Sequence, residues 1–213
     1  YARIVVRDLE VICLVPKSEV LIEVKDIVKS FPGVKALKGV SMDFRKGEVH
    51  AICGENGAGK STLIKILTGV YTMDSGEYYV DGQPVSLKST HQAIDLGITC
   101  IYQELSIVPL LDVANNLFLG NLPATKSGAW DKKTMYKKSA EILQRIGLDI
   151  SPKAMAGGLS IAHQQMIEIG RALTRKARCI IMDEPTSSLT DNEIETLFQV
   201  IGRLKAEGIT IVF

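Results

Sequence analysis

Apolar residues in this chain fall into short runs, and the runs alternate with stretches spaced like one face of a helix. Residues 20–24 read as a strand, followed by a loop containing Phe31-Pro32-Gly33. Residues 40–44 read as a second strand, and Arg45-Lys46-Gly47-Glu48 turns the chain into a third over residues 49–53. Asp74-Ser75-Gly76 and Asp81-Gly82 are turn signals on either side of Tyr78-Tyr79-Val80, a pattern that predicts an antiparallel hairpin layer. Residues 98–102 are a buried-strand candidate that runs straight into Gln103. From 104 to 156 the spacing becomes helical, as over residues 137–146, with Gly, Pro and Lys interruptions; this predicts a mostly helical insert. Beyond it the pattern predicts a helix over 161–175, a strand over 179–182, a helix over 192–207 and a strand over 209–213. Cys179-Ile180-Ile181-Met182 is apolar on both faces, as central strands of a parallel sheet are. Strands alternating with helices predict an α/β sheet. Residues 1–19 carry two apolar runs, Ile4-Val5-Val6 and Val11-Ile12-Cys13-Leu14-Val15, which read as strands or as an apolar leader and receive no functional assignment.

Chemistry enters at Gly54-Glu55-Asn56-Gly57-Ala58-Gly59-Lys60-Ser61, followed by Thr62. Glycines let the backbone turn tightly and aim successive N–H groups at phosphate oxygens. Lys60 would reach the β- and γ-phosphates of a nucleotide, and Ser61 would offer its hydroxyl to Mg²⁺. A helix N-terminus behind the loop adds roughly half a positive charge. The context fits, with an apolar strand running in and the helix-like Leu63-Ile64-Lys65-Ile66-Leu67 running out. A Gly-rich strand-to-helix turn without a ligand would leave Lys60-Ser61 unexplained.

Two further elements carry chemistry only in this company. Cys179-Ile180-Ile181-Met182-Asp183-Glu184-Pro185 is an apolar strand ending in two carboxylates, the Walker B arrangement. Asp183 would hold Mg²⁺ and Glu184 would polarise the water that attacks the γ-phosphate. Burying adjacent carboxylates costs free energy unless a cation or hydrogen bonds compensate. By itself the motif reads equally well as a solvated turn. Leu159-Ser160-Ile161-Ala162-His163-Gln164-Gln165 opens the next helix, with Ser160 as its N-cap; taken alone, a cap is all it implies.

Bulk composition narrows the partners. The 213 residues carry 25 basic and 24 acidic side chains and 46% hydrophobic residues, enough for a sizeable core. This balance offers no electrostatic footprint for nucleic acid or an anionic membrane surface. Cys13, Cys53, Cys100 and Cys179 form no Cys-x-x-Cys pair, which argues against a zinc ribbon. Three of the four fall in predicted buried strands, a usage that suits a reducing cytosol. No signal peptide and no apolar run of bilayer length is evident, so a link to a membrane would run through partner proteins.

In order, the phosphate loop, a glutamine after a strand, a Leu-Ser element, an Asp-Glu strand end and a Ser-Ser-Leu-Thr loop resemble the nucleotide-binding domain of ATP-binding-cassette (ABC) transporters. The resemblance covers about residues 20–213. Ile-Tyr-Gln-Glu-Leu and Leu-Ser-Ile-Ala-His-Gln-Gln-Met-Ile-Glu-Ile are most similar to ATPases of bacterial monosaccharide importers of the ribose, galactose and xylose type. Glu-Asn-Gly-Ala-Gly-Lys-Ser-Thr and Asp-Glu-Pro-Thr-Ser-Ser-Leu-Thr resemble the first half of such proteins, where two cassettes share one chain.

The resemblance implies a P-loop NTPase fold with an antiparallel β layer and a helical subdomain at about 104–156, and ATP and Mg²⁺ as ligands. It implies that Phe31, 29 positions before Lys60, stacks on adenine. Gln103 would contact Mg²⁺ and the attacking water, and Ser160 the γ-phosphate held by an opposite cassette. Residues 187–190 would link the two sites. Implied partners are a second cassette, a transmembrane permease and, indirectly, a sugar-binding protein, with the cassette peripheral on the cytoplasmic face of the bacterial plasma membrane. No nucleic acid is implied.

Three departures stand out. The signature reads Leu-Ser-Ile-Ala-His where most of the family has Leu-Ser-Gly-Gly-Gln, and Thr190 stands where many relatives have Asp. The family's switch histidine is absent after the final strand, and His50, His91 and His163 lie elsewhere, so the chain is expected to be a piece of a longer product. Such a piece should bind Mg-ATP but hydrolyse it poorly. Rival readings are a soluble ABC ATPase of DNA repair or the ribosome, a P-loop kinase, and a nucleotide sensor without turnover. A Rossmann dehydrogenase is excluded, since no Gly-x-Gly-x-x-Gly opens a helix.

Overall fold

The structure, a computed structural model, describes residues 19–125 and 127–213. The expectations for the runs at 4–6 and 11–15, and for Cys13, lie outside the described residues. The described elements run, in chain order, β1 (Val20–Phe31), β2 (Val34–Arg45), β3 (Val49–His50), α1 (Lys60–Leu67), β4 (Ser75–Val80), β5 (Gln83–Pro84), α2 (Thr90–Asp95), β6 (Ile98–Ile101), α3 (Val113–Leu117), α4 (Lys132–Ile146), α5 (Ile161–Thr174), β7 (Cys179–Met182), α6 (Asp191–Ala206) and β8 (Thr210–Val212). They form two compact units. Residues 19–100, 178–183 and 205–213 make the first; residues 101–177 and 184–204 make the second.

The first unit holds an antiparallel sheet of order β2-β1-β4-β5 and a sheet of order β3-β8-β7-β6. One apolar cluster joins them: Ile22 and Phe44 from the antiparallel layer, Leu63 and Leu67 from α1, and Cys179, Ile181 and Val212 from the parallel strands. The α/β class with an antiparallel layer therefore stands as expected.

Strand β1 is longer than the apolar run suggested. Beyond Val24 the chain turns polar and bulges, with Asp26 at φ +50° and register shifts against both neighbours. Hydrogen bonding nevertheless continues to Phe31, which pairs with Val34 across a Pro32-Gly33 turn with Gly33 at φ +79°. The expected loop at residue 31 is thus a tight hairpin turn. Asp74 secures this end, accepting from Lys29 Nζ and from the Ser30 N–H at 2.7 Å each. Ser75 and Gly76, read as turn residues, already belong to β4.

Strand β3 is shorter than expected. Pairing with β8 covers only Val49 and His50, although Ile52 N–H still donates to Phe213 O at 2.6 Å. The chain then peels off toward the phosphate loop, so Cys53 is exposed rather than buried in a strand. Cys100 is half-buried; Cys179 is fully buried, and burial pushes its thiol up to about 12. Helix α2 went unread because only Ala93 on it is buried, leaving no apolar stripe.

In the second unit, α3, α4 and α5 pack on one another. Asp112, Asp131 and Ser160 cap their N-termini through side-chain oxygens. Packing is close at Gly170, where an added Cβ would sit 2.6 Å from Leu117 Cδ2 and 3.1 Å from Ile142 Cγ2. Helical spacing within 104–156 picked out α4, whose polar first turn carries it back to Lys132. The rest of that stretch is less helical than expected, with the short α3, a 3-10 turn at Ala156–Gly158 and irregular chain. Among the described residues no helix is long and apolar enough to cross a membrane.

An ion pair ties the two sheets of the first unit together. Arg178, just before β7, donates to both carboxylate oxygens of Asp81 in the β4–β5 turn, at 2.7 and 2.8 Å. The Arg178 guanidinium, assisted by Lys46, holds the Asp81 carboxyl down at about 2. The folded value lies below the unfolded one of about 4, so the stabilisation is complete above that pH and is lost as pH falls toward about 2. Asp81 is over a third exposed, so solvent screening leaves on the order of 1 kcal/mol. Urea midpoints measured across this acid range should fall less steeply for Asp81→Asn than for the wild type. Parallel slopes would remove the pair from the pH dependence.

Candidate functional site

The phosphate loop is exposed over most of its length, turns on left-handed glycines and packs closely on β2 where it enters α1. Residues Gly54, Glu55, Asn56, Gly57 and Ala58 are exposed, with Gly57 at φ +83° and Gly59 at φ +97°. Gly59 is the N-cap of α1 and has no side chain to bond the first N–H groups, which leaves them directed out of the helix end. The position is closed to any larger residue. A Cβ there would lie 2.7 Å from Ala36 O and 2.8 Å from Leu37 Cδ2 of β2. Lys60 arches over the loop and donates to Gly54 O at 2.6 Å and Glu55 O at 3.1 Å, so its ammonium group sits within the turn. Ser61 is exposed one residue further along the helix, and Thr62 is half-buried.

Asp183 belongs to the same unit. Strands β3 and β7 both run parallel to β8, and His50 and Ile181 are both level with Val212. Their carboxyl ends therefore leave the sheet on one edge, where ligands of open α/β sheets bind. Asp183 is half-buried there and Glu184 is exposed, so the two carboxylates are not buried as a pair. The desolvation cost expected from the sequence does not arise in that form. Among the described residues no cluster of three His, Cys, Asp or Glu side chains offers a metal cage. Isolated oxygen donors such as Ser61 and Asp183 suit Mg²⁺, which keeps waters and takes further ligands from phosphate.

The second unit brings together two residues 81 positions apart: Gln103 Nε2 donates to Glu184 Oε2 at 3.2 Å. Glu184 adopts φ +51°, a left-handed conformation costly for a side chain with a Cβ. The turn that holds it is braced. Both the N–H and the hydroxyl of Ser187 donate to Glu184 O, at 3.3 and 3.1 Å. Gln165 Nε2, on buried α5, donates to Pro185 O at 2.8 Å. Sequence reasoning passed over Gln165. The available signal was a glutamine on the apolar face of a helix, a polar group that must find a partner.

Ser160 caps α5: its Oγ accepts from His163 N–H at 3.3 Å and lies 3.1 Å from His163 Nδ1. His163, which departs from the usual signature glutamine, is thus packed against the serine. Thr190 explains the other departure. Its N–H and hydroxyl donate to Glu193 Oε2 at 3.0 and 2.9 Å, a capping arrangement at the start of α6. Thr190 holds the Glu193 carboxyl below the usual range, and His163 and Ser160 add to this. The signature serine and the 187–190 loop therefore meet at one carboxylate, a residue the sequence reading did not single out. Phe31 ends β1 half-buried, its ring edge-on to Tyr71 at 5.4 Å and 5.7 Å from Lys29 Nζ.

A loop that presents backbone N–H groups at a helix end, beside a sheet edge bearing an acidic strand terminus, defines the class of P-loop NTPases. Comparison with known proteins narrows it. The model of the ABC transporter family matches residues 37–187. The chain is 48% identical, over 91% of its own length, to the ribose import ATP-binding protein RbsA 1 of Rubrobacter xylanophilus, and it spans 38% of that relative. It superposes with a TM-score of 0.81 and 31% identity on the ADP conformation of an ATP-binding cassette of an ABC transporter, covering 91% of this chain and 80% of that one. A dimeric cassette in a post-hydrolysis state bound to ADP and Pi gives a TM-score of 0.74 at 25% identity, covering 90% and 86%. The chain belongs to the ABC transporter family.

Gly59→Ala tests the loop directly. Combining a left-handed φ with a clash against the β2 backbone should cost about 1–3 kcal/mol and displace the loop. Chemical denaturation and nucleotide titration should show lower stability and weakened ATP binding together. Wild-type binding would mean that β2 yields.

Proposed function

We propose that the chain is an ATP-hydrolysing cassette that powers monosaccharide import through a membrane permease. The observation that carries the hydrolytic part is the 3.2 Å contact of Gln103 with Glu184 in a chain bearing a complete phosphate loop. It pairs a base with an amide suited to orienting water. The sugar-import part rests on the 48% identity to a ribose import ATP-binding protein.

In this reading Phe31 stacks on adenine, and the N–H groups of the Gly54 to Thr62 stretch, with Lys60, bind the phosphates. Ser61, Gln103 and Asp183 would hold Mg²⁺, which when bound offsets the charge of the phosphates. Glu184 takes the proton of the attacking water, and Gln103 orients that water. Ser160 and the N-terminus of α5 serve the γ-phosphate bound by a second cassette; that a solved relative is a dimeric cassette supports the pairing of two cassettes. Each added donor of this kind is worth roughly 10²–10³-fold in rate, so the chain alone should turn over slowly. The cassette occupies residues 20–213, and its helical part, about 104–156, receives the permease. Residues 1–19 carry no proposed role. A sugar-binding protein delivers the substrate, and the cassette works peripherally at the cytoplasmic face of the bacterial plasma membrane.

Two measurements on the full-length product test this reading. Glu184→Gln should leave nucleotide affinity within about twofold while lowering turnover by about 10²–10⁴-fold; Lys60→Ala should weaken binding itself. Unchanged turnover would remove Glu184 from the mechanism. Detergent extraction should co-purify a polytopic permease. Recovery with ribosomes or DNA would overturn the transport assignment.

A further inference from the structure

Helix α5 buries two charged side chains that the mechanism above does not use. Glu168 and Arg171 are 7% and 8% exposed, and Arg171 Nη1 lies 3.3 Å from Glu168 Oε1. A buried ion pair is costly to desolvate and is retained only with further hydrogen bonds. Here those bonds go to the segment that follows Gln103. Glu168 Oε1 accepts from the N–H and from the hydroxyl of Ser106, each at 2.9 Å. Arg171 donates to Ser106 Oγ at 2.8 Å and Ser106 O at 3.4 Å, and its Nε donates to Asn116 O at 2.8 Å.

Asn116, fully buried on α3, extends the seam. Its Oδ1 accepts from Val108 N–H at 2.8 Å, and its Nδ2 donates to Val108 O and Asp112 O at 3.0 Å each. Ser106 and Val108, in the irregular chain that leads to α3, therefore have their backbone N–H and C=O groups met by side chains of α3 and α5. That is an expensive way to satisfy a loop if the loop is only a connector.

Ser106 is three residues from Gln103, and α5 begins at the Ser160 cap. We infer that Glu168 and Arg171 are positioning residues: they clamp the segment after Gln103 to the helix that carries Ser160, fixing where the Gln103 amide meets Glu184. The inference rests on the hydrolytic role proposed for Gln103 and Glu184. It adds that the two residues act through Ser106 and touch neither nucleotide nor water.

The test uses the full-length polypeptide with its permease in lipid. Glu168→Gln is compared with the double variant Glu168→Leu/Arg171→Met, which leaves no unpaired buried charge and should keep the fold. Both should lower kcat by about 10–100-fold, the scale of a displaced catalytic group, with KM for ATP within about twofold. Amide exchange over residues 104–108 should quicken, while α1 and β7 stay protected. A folded double variant with wild-type kcat, or with unchanged exchange over 104–108, overturns the inference. A wild-type protein that does not hydrolyse ATP removes the functional reading and the positioning role together. Active wild type with indifferent variants removes the positioning role alone.

Discussion

Parallel pairing of β8 with both β3 and β7 is the constraint on which the phosphate-facing half of the molecule depends. Val212 stands level with His50 on one side and Ile181 on the other. The strand that feeds the phosphate loop and the strand that ends in Asp183 must therefore leave the sheet along a common edge. Thr210, fully buried, anchors that register: its hydroxyl donates to Arg45 O at 3.0 Å and accepts from Gly47 N–H at 3.1 Å. A slip of one residue would take Thr210 away from both partners and leave its buried hydroxyl unsatisfied.

Gly59 and Glu184, both at the candidate site, occupy left-handed backbone for different reasons. Gly59 does so because β2 leaves no room for a Cβ and because an uncapped helix end exposes N–H groups. Glu184 does so although it carries a Cβ, held by the Ser187 turn and by the anchoring of Pro185 from Gln165. Strain of this sort persists only where surrounding bonds over-determine it. In the first case tight packing imposes the geometry; in the second a short hydrogen-bonded turn does.

Helix α5 is the organiser of the second unit. Its N-cap presents Ser160, its next turns send Gln165 to the turn after Glu184, and its middle holds Glu168 and Arg171 against Ser106. Segments far apart in sequence thus take their positions from one helix. Closely packed helices suit this task, because side chains locked by neighbours hold polar groups within tenths of an ångström.

Local chemistry determined a good deal before any coordinates. The order Gly54 to Ser61, the apolar strand Cys179–Met182 ending in Asp183-Glu184, and the cap-and-stripe pattern of α5 are set by spacing within a few residues. Turn chemistry, helix capping and strand burial are short-range effects of that kind. Tertiary structure alone decided the rest. The contact of Gln103 with Glu184, the exposure of Cys53, the extension of β1 through a polar bulge to Phe31, and the clamp on Ser106 all join residues remote in sequence or depend on what packs above them. No local pattern specifies such contacts, because their free energy exists only once the intervening chain has closed around them.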